Sequence, residues 1–165
     1  MTAPGDSAAA TVHVAVSIED AFEVFTREID LWWRRGRRFR IAGKNPGRLF
    51  FEPRLDGRLF ETVTFDARER TFEVGRVMVW EPPRRIVLQW RGVNFAPHEH
   101  TTVEVTFQPT STGTLVRVEH RGWSRLPDDH PARHGLVGPA FSRMIGLWWG
   151  DLLTALREHT ATRTS

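Results

Sequence analysis

Residues 139–159 read PAFSRMIGLWWGDLLTALREH, and this run decides the fold. Phe141, Met144, Ile145, Trp148, Trp149, Leu152, Leu153 and Leu156 recur at intervals of three and four. At about 100° per residue they gather on one side of a helix of about five turns. Ser142, Arg143, Asp151, Arg157 and Glu158 fall outside that stripe. A stripe so broad and aromatic has to be buried, and the upstream chain must supply the surface that covers it. Gly138 suits an N-cap and Pro139 the first turn, where a missing N–H costs nothing. Gly146 and Gly150, four apart on the flank of the stripe, predict either close packing against a strand or room left for a ligand.

The covering surface lies in the middle of the chain, where the apolar period drops to two. Strands are predicted over 48–53, 57–65, 72–81, 84–91, 100–109 and 113–121, separated by punctuation such as Asp56 with Gly57 and Pro82 with Pro83. Ile86, Leu88 and Trp90 alternate with Val87, Gln89 and Arg91, and Val103, Val105 and Phe107 with Thr102, Glu104 and Thr106. One face therefore looks inward and the other meets water. Short connections predict an antiparallel meander. Val12, Val14 and Val16 add a first strand, followed by a helix capped by Ser17 with Phe22, Val24, Phe25 and Ile29 on its apolar face. Asp30 is expected to cap a second short turn. The order β, α, six β, long α predicts an α+β domain in which a curved seven-stranded antiparallel sheet clasps the terminal helix. Such a clasp commonly leaves an internal cavity.

The 165 residues suit one domain. It is expected over 11–159, with a disordered N-terminal tail (1–10) and a C-terminal tail (160–165). Absence of cysteine excludes disulfides and thiolate chemistry. No apolar run reaches the ~18 residues of a membrane span and no secretory signal pattern opens the chain, so a cytoplasmic location is expected. All of the 23 basic residues except Lys44 are arginine, against 20 acidic ones, and the formal charge is only +3. That balance does not require nucleic acid, and no nucleic-acid partner is expected. Arg34, Arg35, Arg37, Arg38 and Arg40 crowd one loop, which reads as a solvated loop, as a pocket mouth facing an anionic ligand, or as a polyanion surface.

Four runs carry a resemblance: FEPRLDGRLFE (51–61), GRVMVWEPPRRIVLQW (75–90), TTVEVTF (101–107) and GTLVRVEHRGW (113–123). Together with Trp32 and Trp33 they resemble bacterial SRPBCC proteins, and within these the homologues of the heat-shock-protein ATPase activator. The resemblance implies the START-like helix-grip fold, with a long C-terminal helix and two short ones around a hydrophobic cavity. It implies function only loosely, because that superfamily includes lipid and hormone carriers, polyketide cyclases and co-chaperone domains. The chain departs from the family pattern at Asp56, where a glycine is usual, at HEH (98–100), and in a longer connection from Trp123 to Phe141.

Seven tryptophans are many for this length, and the clasp brings several to one chamber. The expected lining is Trp32, Trp33, Trp80, Leu88, Trp90, Val103, Val105 and Val118, with His120 and Trp123 at the end of their strand. Phe141, Ile145, Trp148 and Trp149 complete it from the helix. Indole faces suit a flat apolar or aromatic ligand. Glu61 and His120 share the inward phase and are the candidates for proton transfer, as a coupled pair if they meet; a hydrogen-bonded core histidine is the other reading of His120. His98 and His100, or His130 and His134, have spacings a metal could use, but no high-specificity zinc pattern, nucleophile elbow or phosphate loop occurs. No metal and no cofactor is expected. Binding of a small apolar or aromatic molecule is the leading function; a cyclase- or hydrolase-like enzyme and a module with a protein partner are the alternatives.

Overall fold

The computed structural model describes residues 5–163. Seven strands, β1 (Ser7–Val14), β2 (Gly47–Phe51), β3 (Arg58–Phe65), β4 (Arg68–Glu81), β5 (Arg85–Trp90), β6 (Thr101–Thr110) and β7 (Gly113–Arg121), form one sheet in the order β1-β7-β6-β5-β4-β3-β2. All pairings are antiparallel. β2 to β7 make the expected meander, and β1 closes on its far side beside β7. Register shifts at Leu59/Phe60 and Val77/Val79 let the sheet curl. Its concave side takes up α1 (Ile18–Arg27), α2 (Ile29–Trp32) and the long α3 (Gly138–Ala161). This is the helix-grip fold.

The inward phase is the one the alternation predicts. Ile86, Leu88, Val103, Val105, Val116 and Val118 are buried, with none above 2% exposed. The outward phase carries Glu104, which pairs with Arg85 at 2.6 Å and Arg121 at 2.7 Å across three adjacent strands. On α3 the stripe residues Phe141, Trp149, Leu152, Leu153 and Leu156 are buried, while Leu147 on the opposite side is 61% exposed. α3 runs beside the outer edge of β1: Ser142 Oγ donates to the Ser7 carbonyl at 3.0 Å. A side chain at Gly146 would meet the Ala9 carbonyl at 3.7 Å, an ordinary van der Waals contact, and one at Gly150 would meet nothing within 4 Å, so close packing requires neither glycine. The helix thereby covers one of the sheet's two open edges.

Several boundaries differ from expectation for physical reasons. β1 begins at Ser7, within the tail expected over 1–10, because Ser7 to Ala10 pair with Arg121 to Val118. Residues 1–4 of that tail lie outside the described residues. α3 continues to Ala161, past the expected end at 159. Thr160 is buried, and Glu28 at the end of α1 holds His159 at 2.9 Å and also pairs with Arg163; residues 164 and 165 lie outside the described residues. β4 begins at Arg68 rather than 72, since its first residues pair only with β3 and carry charges on both faces, which hides the period of two. Asp66 and Ala67 close that hairpin with φ of 48° and 65°, without the usual Asn-Gly signal. Asp56, where the family has glycine, adopts φ 61°. Asp30 caps no helix; its carboxylate serves the loop described below. Between β7 and α3 the connection forms two single 3-10 turns, Trp123–Arg125 and Pro131–Arg133.

Leu152→Ala should cost about 2–5 kcal/mol of unfolding free energy, and Leu147→Ala less than about 0.5. Urea unfolding of both variants checks the phase of α3, and equal losses would contradict it.

Candidate functional site

A cleft of about 530 Å³ opens between the N-terminal half of α3, the β2–β5 side of the sheet and the loop after α2. That size falls in the usual range for small-molecule sites, roughly 300–1,000 Å³. Apolar side chains border it from every side: Trp33, Phe39, Leu49, Leu59, Val74, Trp90, Phe95, Trp123, Met144, Ile145 and Trp148. The rings form a continuous arc. Trp33 stacks on Trp90 at 6.3 Å and meets Trp148 at 5.9 Å; Trp90 meets His120 at 5.8 Å, and His120 meets Trp123 at 4.6 Å.

The front wall is the arginine loop, and its arginines differ in role. Arg40 is buried and pairs with Asp30 at 2.6 Å, while its other nitrogens donate to the carbonyls of Asp30, Trp33 and Arg34. Asp30 Oδ1 also accepts the Leu49 N–H at 2.8 Å, fixing the loop to β2. Burial pushes the Asp30 carboxyl up, but the Leu49 N–H and Arg40 together outweigh it and hold the group below the ordinary carboxylate range. Arg34 donates to the Asp151 carbonyl at 2.8 Å and Arg38 pairs with the Asp151 carboxylate at 2.6 Å, which staples the loop to α3. Trp148 Nε1 donates to the Arg38 carbonyl at 2.7 Å. Arg37 borders the cleft, is exposed and forms no ion pair among the described residues.

Glu61 belongs to the same wall. Its two carboxylate oxygens accept the N–H groups of Ile41 at 2.8 Å and Ala42 at 3.2 Å. It anchors the loop, and His120 is not among its partners. His120 in turn has both ring nitrogens engaged. The indole N–H of Trp149 can only donate, so Nδ1 accepts it at 3.2 Å; Nε2 therefore carries the proton and gives it to Thr101 Oγ1 at 2.7 Å. Burial pushes the imidazole down to about 3. It is a neutral, doubly bonded core histidine, and the coupled acid–base pair with Glu61 does not form.

The back wall is the connection into α3. Arg133 is buried and donates to the carbonyls of Trp123, Leu126 and Pro127, with its guanidinium 4.9 Å from the centre of the Phe141 ring. His130 Nδ1 accepts the Ala132 N–H, so Nε2–H donates to Glu99 at 2.8 Å and ties the loop after β5 to this connection. Phe95 fills the corner, 5.3 Å from His130 and 6.0 Å from Trp123. His98 lies exposed in a turn and His100 faces Arg125, a cation, at 3.4 Å. No cluster of three metal-ligating side chains occurs among the described residues.

Of the side chains expected to line a chamber, Trp33, Trp90, His120, Trp123, Ile145 and Trp148 border the cleft. Trp32, Trp80, Leu88, Val103, Val105, Val118, Phe141 and Trp149 do not, because neighbouring side chains fill the space in front of them. Trp32 donates to the Val24 and Phe25 carbonyls, and Trp80 packs on Phe22 at 5.0 Å. Periodicity missed Phe39, Phe95 and Arg91. The first two sit in loops, where no alternation marks a direction, and Arg91 directly follows the last residue of β5. Among the described residues two buried side-chain nitrogens have no protein acceptor, Arg91 Nε and Trp123 Nε1. Each such group costs about 1–3 kcal/mol if left unsatisfied.

The model of the family described as "Activator of Hsp90 ATPase homolog 1-like protein" matches residues 15–145. No curated protein matches the chain. Solved structures share the fold. Protein MLL2253 from Mesorhizobium loti is 18% identical with a TM-score of 0.64, covering 96% of this chain and 98% of that one. ChR145 from Cytophaga hutchinsonii is 10% identical with a TM-score of 0.66, covering 96% and 95%. DynU16, of the dynemicin biosynthetic locus, is 17% identical with a TM-score of 0.63, covering 96% of this chain and 48% of that one.

The state of His120 makes a pH prediction. Its folded value, about 3, lies below the unfolded 6.5, so its neutral ring contributes fully above pH 6.5 and that contribution is lost as pH falls toward 3. Between about pH 7.5 and about pH 5.5 the chain should lose about 1.4 kcal/mol through this group. His120→Gln should be spared that loss. Identical pH slopes for both proteins in urea unfolding would show that the ring is not held neutral.

Proposed function

The chain belongs to the activator of Hsp90 ATPase homolog 1-like family, and from that premise we propose that it binds a small apolar or aromatic molecule in the cleft between sheet and α3. The observation that carries this reading is an arc of indole rings around unfilled volume, in a wall otherwise braced by buried ion pairs and carbonyl contacts. Indole faces stack on flat rings, and half-buried Met144 and Ile145 give an apolar floor. The wider family includes ligand-binding and polyketide cyclase-like proteins, which agrees with a chamber put to use.

Binding is favoured over catalysis by the Glu61 and His120 pair, since each is already committed to a structural hydrogen-bond set. The family's name supplies the second reading, a protein partner whose ATPase the domain stimulates. Stimulation of a chaperone ATPase by the purified chain would favour it, and its absence would leave the ligand reading alone.

Isothermal titration against aromatic acids, phenolic polyketides and fatty acids tests the proposal. Saturable one-site binding to at least one class is expected. Val74→Trp, which fills the cleft from β4, should abolish it while leaving the far-UV circular dichroism intact. Binding undiminished in that variant, or absent across the panel, would sink the reading.

A further inference from the structure

We infer that the ligand is an aromatic carboxylate, and that Arg91 Nε and Trp123 Nε1 are the two donors that receive its anionic oxygens; this rests on the reading of the cleft as a binding chamber. Both residues border the cleft, and these two atoms are the buried side-chain nitrogens, among the described residues, that no protein acceptor reaches. Trp123 is only 4% exposed. Buried N–H groups are nearly always paired, so two orphans on one wall mark where an acceptor belongs.

Charge decides what kind of acceptor. Four arginines border the cleft, Arg37, Arg38, Arg40 and Arg91, against one carboxylate, Glu61. Arg38 is neutralised by Asp151 and Arg40 by Asp30, and Glu61 is spent on two backbone amides. Among the described residues Arg91 has no ion pair, and its side chain makes one hydrogen bond, a long one of 3.4 Å to the Ala96 carbonyl. Arg133 shows the contrast: it is buried without a carboxylate too, but three carbonyls satisfy it. The surplus at the cleft is positive, and an anion completes it.

Position decides the rest of the ligand. Phe95 packs on Trp123 with its ring 6.0 Å away and lies against Gly92, the residue after Arg91, where an added side chain would come within 3.1 Å of its Cε1. The ring arc runs from the Trp123 donor through His120 at 4.6 Å and Trp90 at 5.8 Å from His120 to the Trp33 face at 6.3 Å from Trp90. His120, with both nitrogens used, offers nothing to a cation. One anionic end and one flat apolar body describe an aromatic acid.

The test is isothermal titration of the protein into 2-naphthoate and into its hydrocarbon isostere 2-methylnaphthalene, with wild type, Arg91→Met and Trp123→Phe. Wild type should prefer naphthoate roughly 10- to 100-fold. Each variant should lose about tenfold or more of that preference, read as the ratio of the two affinities within the same variant, so that any change the substitution makes to the apolar lining cancels. Equal affinity of wild type for the two compounds, or the full preference retained in either variant, overturns this inference and leaves the chamber reading standing. Binding of neither compound overturns the aromatic-acid inference, and the chamber reading then rests on the other ligand classes of the panel.

Discussion

Two apolar surfaces in this chain have nowhere to go except against each other: the aromatic stripe of α3 and the concave face of the sheet. A straight rod and a curling sheet cannot match along their full length. Toward its C-terminal half α3 closes tightly, with Trp149, Leu152, Leu153 and Leu156 essentially without solvent contact. Over Met144, Ile145 and Trp148 the surfaces diverge and the side chains are only half-buried. Phe141 is sealed again, but by a second cluster with Trp123 and Leu126. The cleft is the gap between these two cores, and Ile145 touches both.

What keeps the gap from collapsing is polar. The loop after α2 and the connection before α3 each hold a buried arginine whose planar fork reaches several carbonyls at once. A lysine could not do this. Arg40 adds a carboxylate partner, Asp30, and that carboxylate also holds β2. The arginine-rich composition therefore serves the architecture at two positions, and of the arginines bordering the cleft Arg37 and Arg91 have no ion pair among the described residues.

The alternation in residues 84–91, 100–109 and 113–121 made β5, β6 and β7 legible to within about two residues, because each has one wet and one dry face. The α3 stripe was legible for the same reason. The start of β4 was not, because RERT is polar on both faces. Nor was the division of labour among inward residues: Trp33 and Trp32 are neighbours in sequence, yet one borders the cleft and the other is walled in by α1. Phase tells which way a side chain points, not what stands in front of it. Glu61 and His120 show the limit most plainly, since both are indeed interior, but their partners lie 19 to 29 residues away, in a loop, in β6 and in α3.

The ribbon at the end of the β3–β4 hairpin has one more consequence. Among the described residues no strand pairs with the outer side of β4 before Gly75, so apart from the Val74 carbonyl, which the Arg91 N–H takes, the first residues of β4 present open backbone donors and acceptors that another chain could zip onto. Arg68, Glu69 and Arg70 occupy that rim, all exposed. A second molecule docking there in extended form would have to strip the hydration of these charges or match them residue by residue, so the charges that hid this segment's strand character also disfavour edge-to-edge pairing.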